Sequence, residues 1–136
     1  MGDASRWSDL DRPPLDARAL RRAFAHDPLW HDIHVVETTG STNADIAALA
    51  RGGTPEGVVL VAEHQTAGRG RLDRQWVAPP RSGLSFSMLL RPAVEANRWS
   101  LLPLLVGVGV ARAVTRVCDV AIALKWPYRP DCDGRL

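Results

Sequence analysis

Several things are scarce in this chain, and each scarcity narrows its role. Only two of 136 residues are cysteine, Cys118 and Cys132, with no CxxC pair and no Cys/His ligand spacing. That excludes a disulfide-stapled scaffold and a zinc module, and fits free thiols in a reducing compartment. Charge of one sign is also scarce: 17 Lys and Arg stand against 15 Asp and Glu, a formal +2 that does not by itself mark a nucleic-acid binder. The opening Met1-Gly2-Asp3-Ala4-Ser5-Arg6-Trp7 contains no apolar leader. The greasiest run, Leu101 to Ala111, is about half the length a bilayer needs, so no membrane span is expected and a cytoplasmic location is. Repeats and low-complexity tracts are absent.

What is present is an ordinary globular composition, 46% hydrophobic and 24% charged, in a length that suits one domain with a real core. Residues 1–14 are polar and end in Pro13-Pro14, which reads as a loose lead-in. A short helix over Leu15–Phe24 completes a lead-in of residues 1–32, too short for a helix-turn-helix DNA-binding domain. The ordered body starts at Ile33, with a β-prone stretch running into the turn Thr38-Thr39-Gly40. Ser41 or Thr42 can cap a helix over about Asn43–Arg51, Thr42 to Asp45 has capping-box spacing, and Gly52-Gly53 ends the helix. Gly57 to Ala62 is a nearly continuous apolar run, which predicts a strand buried on both faces. Leu84 to Leu89 alternates and predicts a strand with a more polar face. Ser100 is placed to cap a long helix over Leu101–Val117, apolar nearly all round and therefore expected in the core. A strand over Val120–Leu124 follows, stopped by Pro127. Interleaved strands and helices make the class α/β or α+β.

Three short segments carry polar chemistry. The first is Glu63-His64-Gln65-Thr66-Ala67-Gly68-Arg69-Gly70-Arg71-Leu72-Asp73-Arg74-Gln75-Trp76. Its glycines allow close backbone approach to a ligand, and its arginines offer planar donors for carboxylate or phosphate. Trp76 adds a flat apolar face. No Gly-Lys-[Ser/Thr] and no GxGxxG is present, so neither a Walker loop nor a dinucleotide fingerprint applies. A basic surface loop accounts for this segment equally well on its own. The second segment, Gly40-Ser41-Thr42-Asn43, sits at a helix start, where it can simply cap the helix or present hydroxyls and free N–H groups to a ligand. The third, Leu124-Lys125-Trp126-Pro127, puts a cation at a strand end. There it can snorkel beside a packed Trp or hold a carboxylate.

Taken together and in chain order, Gly40-Ser41-Thr42-Asn43 first, then the glycine segment with its downstream Arg74 and Trp76, then Lys125-Trp126-Pro127, the three segments resemble the biotin protein ligases over about Ile33 to Pro127. The resemblance implies a mixed β-sheet flanked by helices, similar to the catalytic domain of class II aminoacyl-tRNA synthetases. It also implies Mg-ATP-dependent conversion of biotin to biotinyl-5′-AMP, followed by transfer to a lysine of a biotin carboxyl carrier domain. By position, Ser41, Thr42, Asn43 and Gln65 match biotin-contacting residues, and Arg69, Gly70 and Arg71 match the loop that closes over biotin carboxylate and ATP phosphate. Gly68 belongs to the same nucleotide-binding loop, Arg74 and Trp76 match positions facing the nucleotide, and Lys125 matches the lysine at the reacting carboxylate. Arg69, Arg71 and Lys125 are thus the expected catalytic residues, with ATP and Mg²⁺ beside the substrate biotin.

The resemblance breaks after Pro127, where the family continues with Asn-Asp and this chain has Tyr128-Arg129. Residues 33–127 are therefore read as the N-terminal part of a catalytic domain whose C-terminal part is missing, and 128–136 as an atypical tail without a strand pattern. A non-catalytic biotin-binding module is the alternative, and a homodimer is left open. Nucleic-acid binding through Arg69, Arg71, Arg74 and Arg81 is the third reading, with no DNA-binding domain to support it.

Overall fold

A computed structural model describes residues 12–70, 74–125 and 129–131, the last four of them through the backbone only. Two compact units emerge, Met1–Arg91 and Pro92–Leu136.

In the first unit, helix α1 (Ala17–Ala23) is capped by Asp16, whose carboxylate accepts from the amides of Arg18 and Ala19. Strand β1 (Asp32–Thr39) is followed by helix α2 (Thr42–Arg51) and strand β2 (Val58–Gln65). Two short strands, β3 (Gly68–Arg69) and β4 (Gln75–Trp76), form a small antiparallel ladder, and β5 (Ser85–Met88) returns to the main sheet. The sheet order is β1-β2-β5, with β1 parallel and β5 antiparallel to β2, which gives the mixed sheet with helices that the sequence implied.

The core forms where sequence periodicities meet. Ile46 of α2 packs with Val58, Leu60 and the adjoining Leu89, with Val36 and Ala50 against them. Strand side chains alternate faces, so β2 turns Leu60 toward α2 and Glu63 toward the opposite face. Five of the eight β2 residues are buried and the other three half-buried, in line with the unbroken apolar run. Gly57, just before this strand, stands at φ +100, and a Cβ there would lie 2.2 Å from the Leu29 carbonyl oxygen. Only glycine fits that position.

Of the two caps expected for α2, the structure has Ser41. One local expectation needs correction: Asp45 closes no capping box, and its carboxylate accepts from the Thr39 hydroxyl instead. The end of α2 follows the sequence reading, with Gly53 in the left-handed region at φ +84.

In the second unit a 3-10 turn (Ala96–Leu101) leads into helix α3 (Leu102–Cys118), followed by an antiparallel pair, β6 (Ala123–Lys125) and β7 (Arg129–Asp131). Ser100 lies inside the 3-10 turn, its hydroxyl directed to the Asn97 carbonyl, and so does not cap α3. The tail expected to lack strand pattern supplies β7. The expectation of a core helix is also overturned: no residue of α3 is buried, and Leu104, Leu105 and Val117 are exposed. Its all-round apolar composition is that of a packed helix, but the described residues of this unit provide no layer to cover it. The helical stretch Ala96–Cys118, 23 residues, is long and apolar enough by length and composition to cross a membrane. The expected short run is thus extended at both ends by helix.

Candidate functional site

Parallel pairing of β1 and β2 dictates where the polar segments meet. Both strands end on the same side, with Thr38 opposite His64 and Thr39 opposite Gln65. Backbone bonds continue the pairing beyond the strands: Thr66 N–H donates to the Thr39 carbonyl at 2.9 Å and Ala67 N–H to the Gly40 carbonyl at 2.8 Å. The start of α2 and the glycine loop after β2, 20-odd positions apart in sequence, thereby become neighbours at the carboxyl ends of parallel strands, where α/β proteins bind ligands.

Thr42 is the hub of this corner. It is 3% exposed, its N–H donates to Gln65 Oε1 at 2.8 Å, and its hydroxyl lies 3.2 Å from the same oxygen. Thr42 Oγ1 also stands 2.8 Å from Ser87 Oγ on β5. With Oε1 occupied in this way, the Gln65 amide is oriented, and its Nε2 donor is the end left for another acceptor. Ser41 is buried beside Thr42, and its hydroxyl accepts from Ala44 N–H at the helix start. Asn43 is exposed and stands apart from this cluster.

Gly68 shows why the loop needs a glycine here. It is buried opposite Trp76 in the β3–β4 ladder, and a Cβ would sit 2.7 Å from the Trp76 carbonyl oxygen and 3.3 Å from Gln65 Nε2. The loop therefore lies directly against the oriented glutamine amide. Gly70 N–H donates to the Arg74 carbonyl at 2.6 Å, closing the hairpin. Arg69, Gly70, Arg74 and Trp76 are exposed, Trp76 at 62%. Arg71 lies outside the described residues. The structure thus brings Ser41, Thr42, Gln65, Gly68, Arg69, Gly70, Arg74 and Trp76 into one corner of the first unit. Lys125 ends β6 in the second unit, its backbone paired with Arg129.

Beside this corner a cleft of about 130 Å³ is walled by Gln65, Trp76, Ala78, Pro79, Ser82 and Ser85. Glu63 lies at its base with a side chain 4% exposed, held by Arg12 Nη2 at 2.6 Å and by the amide of Leu15. Burial pushes its pKa up, but the Arg12 and Leu15 hydrogen bonds and the charges of Arg12 and Arg81 outweigh that and hold it below the ordinary glutamate value. Ser87 and the Glu63–Arg12 pair were missed by sequence reasoning. The more polar face of Ser85-Phe86-Ser87 was a usable signal for Ser87; nothing local to Arg12 pointed to Glu63.

Among the described residues no group of three or more His, Cys, Asp or Glu side chains could hold a metal, and Asp45 and Glu63 both have protein partners. The site's donors instead suit an anion and a neutral hydrogen-bonding ring.

Residues 35–129 match the model of the biotin/lipoate A/B protein ligase family. A biotin–[acetyl-CoA-carboxylase] ligase of Mycobacterium tuberculosis is 44% identical over 125 residues, covering 88% of this chain and 47% of the relative. The bifunctional ligase/repressor BirA of Bacillus subtilis is 33% identical over 99 residues, covering 73% of this chain and 29% of the relative. The chain thus spans less than half the length of these curated relatives. Among solved structures, the biotin protein ligase of Aquifex aeolicus in complex with biotin and ATP superposes with a TM-score of 0.60 at 34% identity, over 73% of this chain and 40% of that one. The Leishmania major enzyme with biotinyl-5-AMP gives 0.62 at 27% identity, over 76% and 48%. With the parallel-strand corner, the glycine loop and the sheet order all inside the matched span, the chain belongs to the biotin/lipoate A/B protein ligase family.

Proposed function

We propose that this chain carries the biotin- and nucleotide-binding corner of an ATP-dependent, cytoplasmic biotin–[acetyl-CoA-carboxylase] ligase. The carrying observation is the Gln65 amide, with Oε1 fixed by Thr42 and Nε2 directed at the space beside Gly68. A pre-oriented donor of this kind suits the neutral ureido ring of biotin, which the dithiolane of lipoate does not offer. Thr42 holds that amide and Ser87 holds Thr42, Ser41 caps the helix beside them, and Asn43 is exposed on its first turn.

In the reaction, a biotin carboxylate oxygen attacks the α-phosphorus of ATP, the bond to pyrophosphate breaks, and biotinyl-5′-AMP forms. The ε-amine of an acceptor lysine on a carboxyl carrier domain then attacks the acyl carbon and releases AMP. Two anions must approach one another in the first step. Arg69 and Arg71 would neutralise that repulsion, Lys125 would hold the carboxylate, and Arg74 and Trp76 would face the nucleotide. Mg²⁺ enters with ATP as part of the substrate, held chiefly by phosphate oxygens. The apolar stretch Ala96–Cys118 falls inside the family match, which supports its being part of a ligase domain and not a membrane span.

The test is pyrophosphate release and biotinyl-AMP formation from biotin and Mg-ATP, with lipoate as competitor. Formation with biotin and none with lipoate is expected; adenylation of lipoate alone would overturn the substrate. The first unit holds the Thr42–Gln65–Ser87 network, which favours a second reading, a binding module without turnover. Calorimetric biotin binding with no pyrophosphate released is its signature.

A further inference from the structure

Glu63 is a buried carboxylate two residues from Gln65, and adenylation gives it no task. Its partners lie far away in sequence and converge on one loop. Arg12 places Nη2 on Glu63 Oε2 at 2.6 Å and Nε on the Arg81 carbonyl at 3.0 Å, so one guanidinium bridges a strand end and a loop. Arg81 N–H in turn donates to the Glu63 carbonyl at 2.9 Å, and Leu15 N–H donates to Glu63 Oε1. Arg81 is held at φ +61, a conformation that a residue with a Cβ seldom adopts. A second brace follows within the loop, where Ser82 Oγ donates to the Pro79 carbonyl at 2.7 Å. The loop so fixed supplies Ala78, Pro79 and Ser82 to the wall of the cleft, opposite Gln65 and Trp76. Arg12, in the stretch expected to be a loose lead-in, is therefore tied into the frame of the site.

We propose that Arg12 is a positioning residue for the nucleotide side of the site. It clasps the 77–84 loop to the end of β2 through Glu63 and the Arg81 carbonyl, and so sets the width of the cleft beside Trp76. The proposal rests on the ligase reading, which gives Trp76 to the nucleotide. Thr42, Ser87 and the Gln65 oxygen make no contact with Arg12, so biotin recognition should be spared. A lysine in its place keeps one charge on Glu63 but lacks the planar fork needed to reach both partners.

The experiment uses the full chain as wild type, Arg12→Ala, Arg12→Lys and Glu63→Gln. Two readouts are taken: the rate of tryptic cleavage after Arg81, and KM for ATP set against biotin affinity. Arg12→Ala should speed cleavage after Arg81 and raise KM for ATP, each about tenfold, with biotin affinity changed by no more than about twofold. Arg12→Lys and Glu63→Gln should fall between it and wild type on both. Should Arg12→Ala lose its folded circular-dichroism signal, those two variants decide. Cleavage at the wild-type rate in the folded variants, or equal losses for ATP and biotin, would overturn the proposal. A wild-type chain that makes no adenylate would count against the ligase reading, while the cleavage rates would still show whether Arg12 holds the loop.

Discussion

The two halves of the candidate site are built in opposite ways. The corner of Ser41, Thr42, Gln65 and Ser87 is sheltered and already hydrogen-bonded before any ligand arrives. The β3–β4 hairpin beside it presents Arg69, Arg74 and Trp76 to solvent and is joined to the corner mainly by the close fit of Gly68. A fixed corner suits a small neutral ring, whose recognition depends on donors already aimed. An exposed basic hairpin suits phosphates and a carboxylate, which it can close over while excluding water from the acyl-adenylate. On the proposed reading one half selects and the other acts.

This contrast predicts a ranking of mutational effects. The largest belongs to Arg69→Ala, which on the proposed reading removes a cation from the meeting point of two anions. Adenylate formation should fall by about 100-fold or more. Thermal stability should be unchanged, because Arg69 is exposed; a matching loss of melting temperature would show the hairpin to be structural. Next comes Thr42→Val, which takes a hydroxyl partner from the half-buried Gln65 oxygen and from Ser87, while the Thr42 N–H bond to that oxygen remains. A cost of about 1–3 kcal/mol is expected in both biotin affinity and unfolding free energy. Biotin binding that survives while stability falls would remove the amide from recognition.

The smallest effect is the pH response of Glu63. Its folded pKa lies below the ordinary glutamate value, so its contribution to stability is complete above that value and is lost as pH falls through the lowered one. Arg12 is about a third exposed, which limits the pair to about 1–2 kcal/mol. Denaturant midpoints of wild type and Arg12→Ala should differ at neutral pH and converge in acid. A constant difference across that range would place the effect of Arg12 in packing.

The order of elements was legible in the sequence because its signals are local. The apolar run after Gly57, the hydroxyls before α2 and the glycines after it each state their own conformation. The adjacency of Thr42 and Gln65 was legible only through resemblance, since it comes from parallel pairing of β1 with β2, which no local pattern encodes. Ser87 and Arg12 were missed for the same reason: their partners are 45 and 51 residues away. Helix α3 was misread because composition reports what a helix needs to cover it, not what the surrounding chain supplies. The capping-box spacing of Thr42 and Asp45 did not form a box, since Asp45 accepts from Thr39 and Ser41 caps the helix.

The division into a pre-formed corner and a closing hairpin is tested most directly by amide hydrogen exchange with and without biotin and ATP. The amides of Thr42 and of residues 63–65 should be protected in the free chain and change little. Those of Arg69, Arg74 and Gln75 should exchange freely at first and become protected when both ligands are present. Equal protection of the two regions in the free chain, or a corner that becomes ordered only on binding, would contradict the account.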